Sequence, residues 1–286
     1  MNKQKLLKIL QAIIPPFFII IIKKLGIYSQ LKKIFLSINK QELNPTWNVI
    51  KSGELTGTKI FIYPFGDWQK EMINGEYDKF IFDYLKKIDL TQKNIFDIGA
   101  HIGYHTLYFA KLAGAKGKII SFEPNVFNIE RLKINLEKNY ELSKNIQVIE
   151  KAISDKSGEE AFVFSKKVDK GSSSGSFLDN ADTFWEKANY EKLYGFKRVK
   201  VQTTTIDEFV KKNDIIPDLI KLDIEGAEHL ALAGAKKTLF EKKPILLIEI
   251  HSIFNMYKVC DILSDFQYKI EFLKEEKDGR CFIAAK

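Results

Sequence analysis

The chain has 286 residues, 45% hydrophobic and 29% charged, a balance that suits one large α/β domain or a domain with an extension. Its net charge of +8 sits at one end: residues 1–46 hold eight lysines against Glu42, and the remaining 240 carry 37 basic against 36 acidic residues. A nearly neutral body argues against a nucleic-acid groove. Two cysteines, Cys260 and Cys281, with no CxxC pair argue against a disulfide framework or zinc cluster and point to a reducing, cytoplasmic setting.

Residues 1–46 form a basic, apolar extension that begins "KLLKILQAIIPPFFIIIIKKLG" after four residues. Its apolar run, Ala12 to Ile22, is broken by Pro15-Pro16 and falls short of the about 20 apolar residues that span a bilayer. Lys23-Lys24 follow the run, where a cleavable leader would want small residues. Two readings stand. The segment is a helix packed on the domain, or residues 1–40 lie on an anionic membrane face, which would be the inner one, with lysines on the headgroups.

Residues 47–90 predict a short β segment, "KIFIYP", and a helix over "GEYDKFIFDYLKKI". Phe80, Ile81, Tyr84, Leu85 and Ile88 share one face of that helix at 3.6-residue spacing. Residues 91–286 form the main domain, in which strands and helices alternate. "NIFDIG" is a buried strand and "YHTLYFAKLAG" a helix ended by Gly114. "KIISFEP" is the next strand, and Pro124 opens the helix "NVFNIERLKINLEKN". "IQVIEKAIS", "EEAFVFS", "LIKLDIEG" and "PILLIEIH" read as further strands, "AEHLALAGAKKTLF" as a helix, and "YKIEFL" and "CFIAA" as closing strands. Such alternation predicts a mostly parallel sheet with helices on both faces and ligands beyond the carboxyl ends of the strands. "KGSSSGSFLDN" breaks the pattern as a flexible loop. The following stretch, with Phe184, Trp185, Tyr190, Tyr194 and Phe196, reads either as a lid or as a surface helix packed on the core.

The strand ends carry the chemistry. In "DIGAHIG", Gly99 permits a sharp turn and Gly103 lets the next helix approach its strand. Glu123 ends the second strand, where a carboxylate can accept both hydroxyl hydrogens of a ribose. His101 occupies the position where a dinucleotide fingerprint needs its middle glycine, and Asp97 near the turn would repel a pyrophosphate. The same acid suits the ammonium and sulfonium of S-adenosylmethionine, so a methyl donor is favoured over NAD.

Four stretches resemble the FkbM-type S-adenosylmethionine-dependent methyltransferases. They are "GEYDKFIFDYL", "FDIGAHIGYHTLYFAK", "SFEPNVFNIERLKINLEKN" with "EKAISDKSGE", and "LIKLDIEGAEHLALAGAKKTL" with "PILLIEIH", within residues 47–255. The resemblance implies the class I methyltransferase fold: a Rossmann-like sheet of seven strands, mostly parallel, the last one antiparallel. It implies methylation of a hydroxyl on a sugar, glycan or secondary metabolite, with a carbohydrate acceptor as partner. It also implies that Asp97, Gly99, Ala100, His101, Gly103, Glu123 and Pro124 line the donor site, and that Ala152 and Ile153, near Ser154 and Asp155, flank the adenine. His105 departs from the family, which commonly has tyrosine or phenylalanine there.

For the transfer itself, a sugar hydroxyl needs a nearby base or a metal. Asp223, Glu225 and His251 are the candidate catalytic residues, and Asp223 also borders the donor. Glu228 fits the dipole of the helix that it starts, and Glu249 fits a strand-end acid paired with a lysine. Asp223, Glu249 and His251 also have the chemistry to hold a hard divalent ion, but their spacing lies across strands, so no metal is assigned. His101 and His105, four apart, lack a carboxylate at helical spacing and make a weak metal pair. The other classes are an NAD-dependent oxidoreductase, opposed by His101, and a degenerate membrane-bound scaffold, opposed by the intact Asp97, Glu123 and Asp223. An (N/D)PP(Y/F) signature of N-methylation is absent.

Overall fold

The structure is a computed structural model that describes residues 45–63, 66–165, 175–183 and 196–286. The basic extension and the aromatics Phe184, Trp185, Tyr190 and Tyr194 lie outside the described residues, and Phe196 is described in its backbone alone. Residues 45–286 pack as one unit. Among the described residues no helix is long and apolar enough to cross a membrane.

The chain opens with the hairpin β1 (Thr46–Val49) and β2 (Lys59–Ile62), then α1 (Asp67–Asn74) and α2 (Lys79–Leu85). The single helix read over "GEYDKFIFDYLKKI" is shorter, because Gly75 ends α1 at φ +78 and Asp78 starts α2 at φ +49. Its apolar face is kept: Ile81, Tyr84 and Leu85 are buried, and Phe80 and Ile88 pack on the same core.

The Rossmann-like half follows: β3 (Asn94–Ile98), α3 (Tyr104–Ala113), β4 (Lys118–Phe122), α4 (Val126–Lys138), a turn of helix α5 (Tyr140–Ser143) and β5 (Ile146–Ile149). Pro124 stands before the cap of α4; Asn125 is the cap, its side chain accepting from the Phe127 N–H. The apolar run "IQVIEKAIS" then divides. Its second part is β6 (Ala152–Ile153), which leaves the main sheet for a small four-stranded one with β7 (Gly158–Ser165), β8 (Phe177–Leu178) and β9 (Phe196–Thr204), in the order β6-β9-β7-β8.

After α6 (Ile206–Asn213) come β10 (Leu219–Leu222), α7 (Glu228–Ala233), α8 (Lys236–Lys242), β11 (Ile245–Ile250), α9 (Ile253–Asp265), β12 (Ile270–Glu275) and β13 (Cys281–Ala285). The seven-stranded sheet runs β12-β13-β11-β10-β3-β4-β5, with β13 antiparallel to both of its neighbours, which is the class I methyltransferase topology. One apolar core covers one face with α3 and the residues before β3, and a second covers the other face with α6, α8 and α9. Strand order reverses between β3 and β10, which opens a crevice past their carboxyl ends.

Candidate active site

The crevice is a cavity of about 830 Å³, within the size range of small-molecule sites. Its floor is the turn after β3. Gly99 has φ +83, and a Cβ there would lie 1.9 Å from the Asp223 carbonyl oxygen, so only glycine lets the two strand ends meet. His101 also has positive φ, and its ring packs against Trp68 at 5.8 Å between centroids. Burial lowers the His101 pKa to about 4, so the ring is neutral. Its Nε2 is buried on the cavity wall without a hydrogen-bond partner.

Glu123 follows β4. Its Oε2 accepts from the His101 N–H (2.8 Å), and its Oε1 accepts from the Asn125 N–H (2.9 Å) and the Asn128 amide (3.3 Å). A carboxylate offers about four acceptor sites, so Oε2 keeps one for a ligand hydroxyl. Burial raises Glu123 to about 7 against the pull of these donors. Ala152 and Ile153 line the cavity beside Phe122, Phe162 and Leu178 and give it an apolar wall. Pro124 lines it as well. Ser154 and Asp155 do not; Ser154 is turned to Glu160 at 2.8 Å.

Asp97, Ala100 and Gly103 do not reach the cavity surface. Asp97 is fully buried, taking the Thr106 hydroxyl at 2.6 Å on Oδ2 and standing 3.4 Å from Lys221 Nζ through Oδ1. The register of β3 on β10 sets Asp97 beside Lys221, so this acid meets a lysine where the charge argument gave it a ligand ammonium. Gly103 does serve close packing, since a Cβ there would lie 2.5 Å from the Leu132 side chain. Lys221 also stands 3.4 Å from Asp223 Oδ2. Burial works against its charge, but Asp223, Asp97 and Glu249 outweigh that and raise its pKa.

The second group gathers after β10 and β11. Asp223, Glu225 and Glu249 line the cavity, and His251 is buried directly behind them. His251 Nδ1 lies 3.0 Å from Glu228 Oε1, while its Nε2 faces Asp223 Oδ1 and Glu225 Oε2 at 3.6 Å and Glu249 Oε1 at 3.8 Å. Burial disfavours the imidazolium, yet Glu228, Glu225 and Glu249 raise His251 well above the usual histidine range. Asp223 is pulled down to about 2 by Lys221 and His251 although burial opposes it. Glu225 is raised by burial and by Asp223. Burial and Asp223 likewise push Glu249 up, against His251 and Arg280.

Glu228 is more than a match for a helix dipole. Fully buried, its Oε1 accepts from the Ile224 N–H (3.0 Å) and the Gly226 N–H (3.2 Å), and its Oε2 from the Asn255 amide. These bonds hold the turn in which Glu225 has φ +56 and Gly226 φ +101. Glu249 pairs with Arg280, not with a lysine; the tip of the β12–β13 hairpin supplies the partner. Arg280 lies 31 residues from Glu249, and no local sequence signal marks it. Lys221 did carry a signal, as a cation inside the apolar run "LIKLDIEG" that needs a buried counter-charge. His105 is set among aromatic rings with Nε2 3.2 Å from Asp78 Oδ2, apart from His101's cavity-facing nitrogen.

Among the described lining residues nine are acidic and four basic, so the wall is anionic in a chain that is cationic as a whole. That sign suits a ligand bearing sulfonium and ammonium charges and opposes a pyrophosphate. The spare acceptor on Glu123, the unpartnered His101 Nε2, the apolar wall and the close turn at Gly99 therefore fit S-adenosylmethionine.

Residues 97–277 match the family model described as the Methyltransferase FkbM domain. Among solved structures, the chain is similar to a methyltransferase FkbM from Methylobacillus flagellatus KT at 19% identity and a TM-score of 0.50, over 70% of this chain and 44% of that one. The chain thus spans less than half the length of that relative, and the likeness is one of fold. It is also similar to a precorrin-6y C5,15-methyltransferase from Geobacter metallireducens GS-15 (13% identity, TM-score 0.46, 76% of this chain and 91% of that one). A third similar structure is an S-adenosylmethionine-dependent O-methyltransferase from Thermotoga maritima (12% identity, TM-score 0.46, 77% of this chain and 71% of that one). No curated protein matches the chain in sequence.

Proposed function

We propose the following activity for a chain that belongs to the FkbM family of S-adenosylmethionine-dependent methyltransferases: it methylates a hydroxyl of a sugar or glycan, in surface-polysaccharide or secondary-metabolite assembly. The observation that carries this reading is the meeting, in one anionic cavity, of a nucleoside-binding half around Glu123 with a carboxylate cluster at Asp223, Glu225 and Glu249. Trp68 and Tyr77 stand on the same wall, giving an apolar platform beside hydroxyl acceptors, a pairing that suits a sugar ring.

S-adenosylmethionine, when bound, supplies an electrophilic methyl group. Glu123 and His101 would hold its ribose, and Ala152 and Ile153 would flank its adenine. Asp223, ionised beside Lys221, accepts a hydrogen bond from the acceptor hydroxyl and orients its oxygen. Glu225, whose raised pKa makes it the stronger base, takes the hydroxyl proton. His251, its pKa raised by Glu228, Glu225 and Glu249, keeps that pair of acids in place rather than acting as the base.

The test is transfer of labelled methyl groups to free sugars, nucleotide sugars and oligosaccharides, followed by product analysis. An alkali-stable ether on a sugar ring supports the reading. Label found only as an alkali-labile ester or on an amine would contradict it.

A further inference from the structure

Of the two buried histidine nitrogens in the site that lack a hydrogen-bond partner, His101 Nε2 lies on the donor wall and His251 Nε2 faces carboxylates. His251 is 1% exposed, and its Nε2 makes no hydrogen bond. It points at Asp223 Oδ1 and Glu225 Oε2, each 3.6 Å away, and at Glu249 Oε1, 3.8 Å away. These separations are too long for hydrogen bonds. The other ring nitrogen, Nδ1, is fixed by Glu228 Oε1 at 3.0 Å, so Nδ1 carries a proton, and a cation would bind at Nε2 in place of the proton held there in its absence.

We propose that Asp223, Glu249 and His251 form a binding site for a hard divalent cation, on the acceptor side of the donor cavity. One potential ligand atom from each of the three lies within 4.8 Å of the other two. An ion that keeps oxygen and nitrogen ligands at about 2.1 Å sets adjacent ligand atoms roughly 3.0–3.6 Å apart, close to the spacing around Nε2. Asp223 and Glu249 border the cavity, so the ion has an entry path and open positions toward it. Glu228 stands where an acid orients a metal-bound imidazole through its second nitrogen. Two carboxylates and an imidazole suit Mg²⁺ or Mn²⁺ better than a soft metal. In the methyltransferase reading, on which this role rests, the open positions take two hydroxyl oxygens of the acceptor sugar and make one of them more acidic. Binding of the ion itself does not depend on that reading.

The probe is Mn²⁺, added to the full chain after chelator treatment and followed by the loss of the free-ion electron paramagnetic resonance signal. One saturable site per chain is expected, displaced by Mg²⁺. Asp223→Asn and Glu249→Gln should each weaken it by about 100-fold or more, and Glu228→Gln by roughly 10–100-fold. Circular dichroism checks that each variant is folded, and a variant that is not is replaced by His251→Gln. Absence of a saturable site, or a site that none of the folded variants weakens, overturns the proposal. Calorimetry with S-adenosylmethionine in chelator separates the two ideas. Donor binding without Mn²⁺ binding sinks the cation site alone. Mn²⁺ binding without donor binding keeps the cation site and removes the methyltransferase reading.

Discussion

Replacing Glu228 tests the architecture beneath the acidic cluster. Its carboxylate is fully buried and takes hydrogen bonds from the Ile224 and Gly226 N–H groups, His251 Nδ1 and the Asn255 amide. Glu228→Ala strands all four donors away from water. Breaking one side of a buried charged network costs about 3–5 kcal/mol. For a domain of this size that corresponds to a fall in Tm of about 6–20 °C. Glu228→Gln should behave differently. Its amide oxygen still serves the turn, and its NH₂ would meet the Asn255 NH₂. Asn255 Oδ1, however, is buried and unpartnered, so a flip of that amide restores a donor–acceptor pair. Only the charge is lost, at about 1–2 kcal/mol, or roughly 2–8 °C. Thermal melts of the three proteins followed by circular dichroism measure both steps. Two variants that melt together, or an alanine variant within about 2 °C of the native chain, would refute the reasoning, since that is the range of an ordinary surface change.

Gly99→Ala places a Cβ 1.9 Å from the Asp223 carbonyl at a φ of +83, so about 2–5 kcal/mol of stability should go, with donor binding, as calorimetry and urea melts would record. Glu123 titrates near 7, and its ionised form is the better acceptor for ribose hydroxyls; donor affinity should therefore rise about tenfold from pH 6 to pH 8, measured as Kd against pH. The same shift has a stability consequence: with its folded pKa raised above the unfolded value, Glu123 favours the unliganded fold fully below about 4.5, and at most about 3 kcal/mol is lost as pH climbs through about 7, which chemical melts across that window would show. The eight lysines and apolar run of residues 1–46 predict that the full chain floats with anionic liposomes and that a chain starting at Gln41 does not; equal flotation would remove the membrane-surface reading.

Apolar runs marked the sheet well where strands are buried on both faces. "NIFDI", "KIISF", "LIKL" and "ILLIEI" all became adjacent parallel strands, and the site residues at their ends follow from that order. The small sheet was less legible. Its β9 alternates basic and apolar residues in "RVKVQTT", a half-exposed pattern unlike the continuous apolar runs of buried parallel strands. Helix α9 carries no clean periodic signal, because Ile253, Phe254 and Tyr257 put apolar residues on an exposed face as well as the buried one. In the site, types and strand ends were readable but partners were not. Asp97 turned to Lys221 because of register, and Glu249 to Arg280 across a hairpin, and neither contact is written in local spacing.

The central claim is that one anionic cavity binds S-adenosylmethionine with its ribose on Glu123. Calorimetry on the native chain and on Glu123→Ala tests it most directly. Micromolar donor binding is expected, weakened about 100-fold in the variant through loss of charged hydrogen bonds worth roughly 3 kcal/mol. Binding of NAD in place of the methyl donor, or donor binding untouched by the variant, would contradict it.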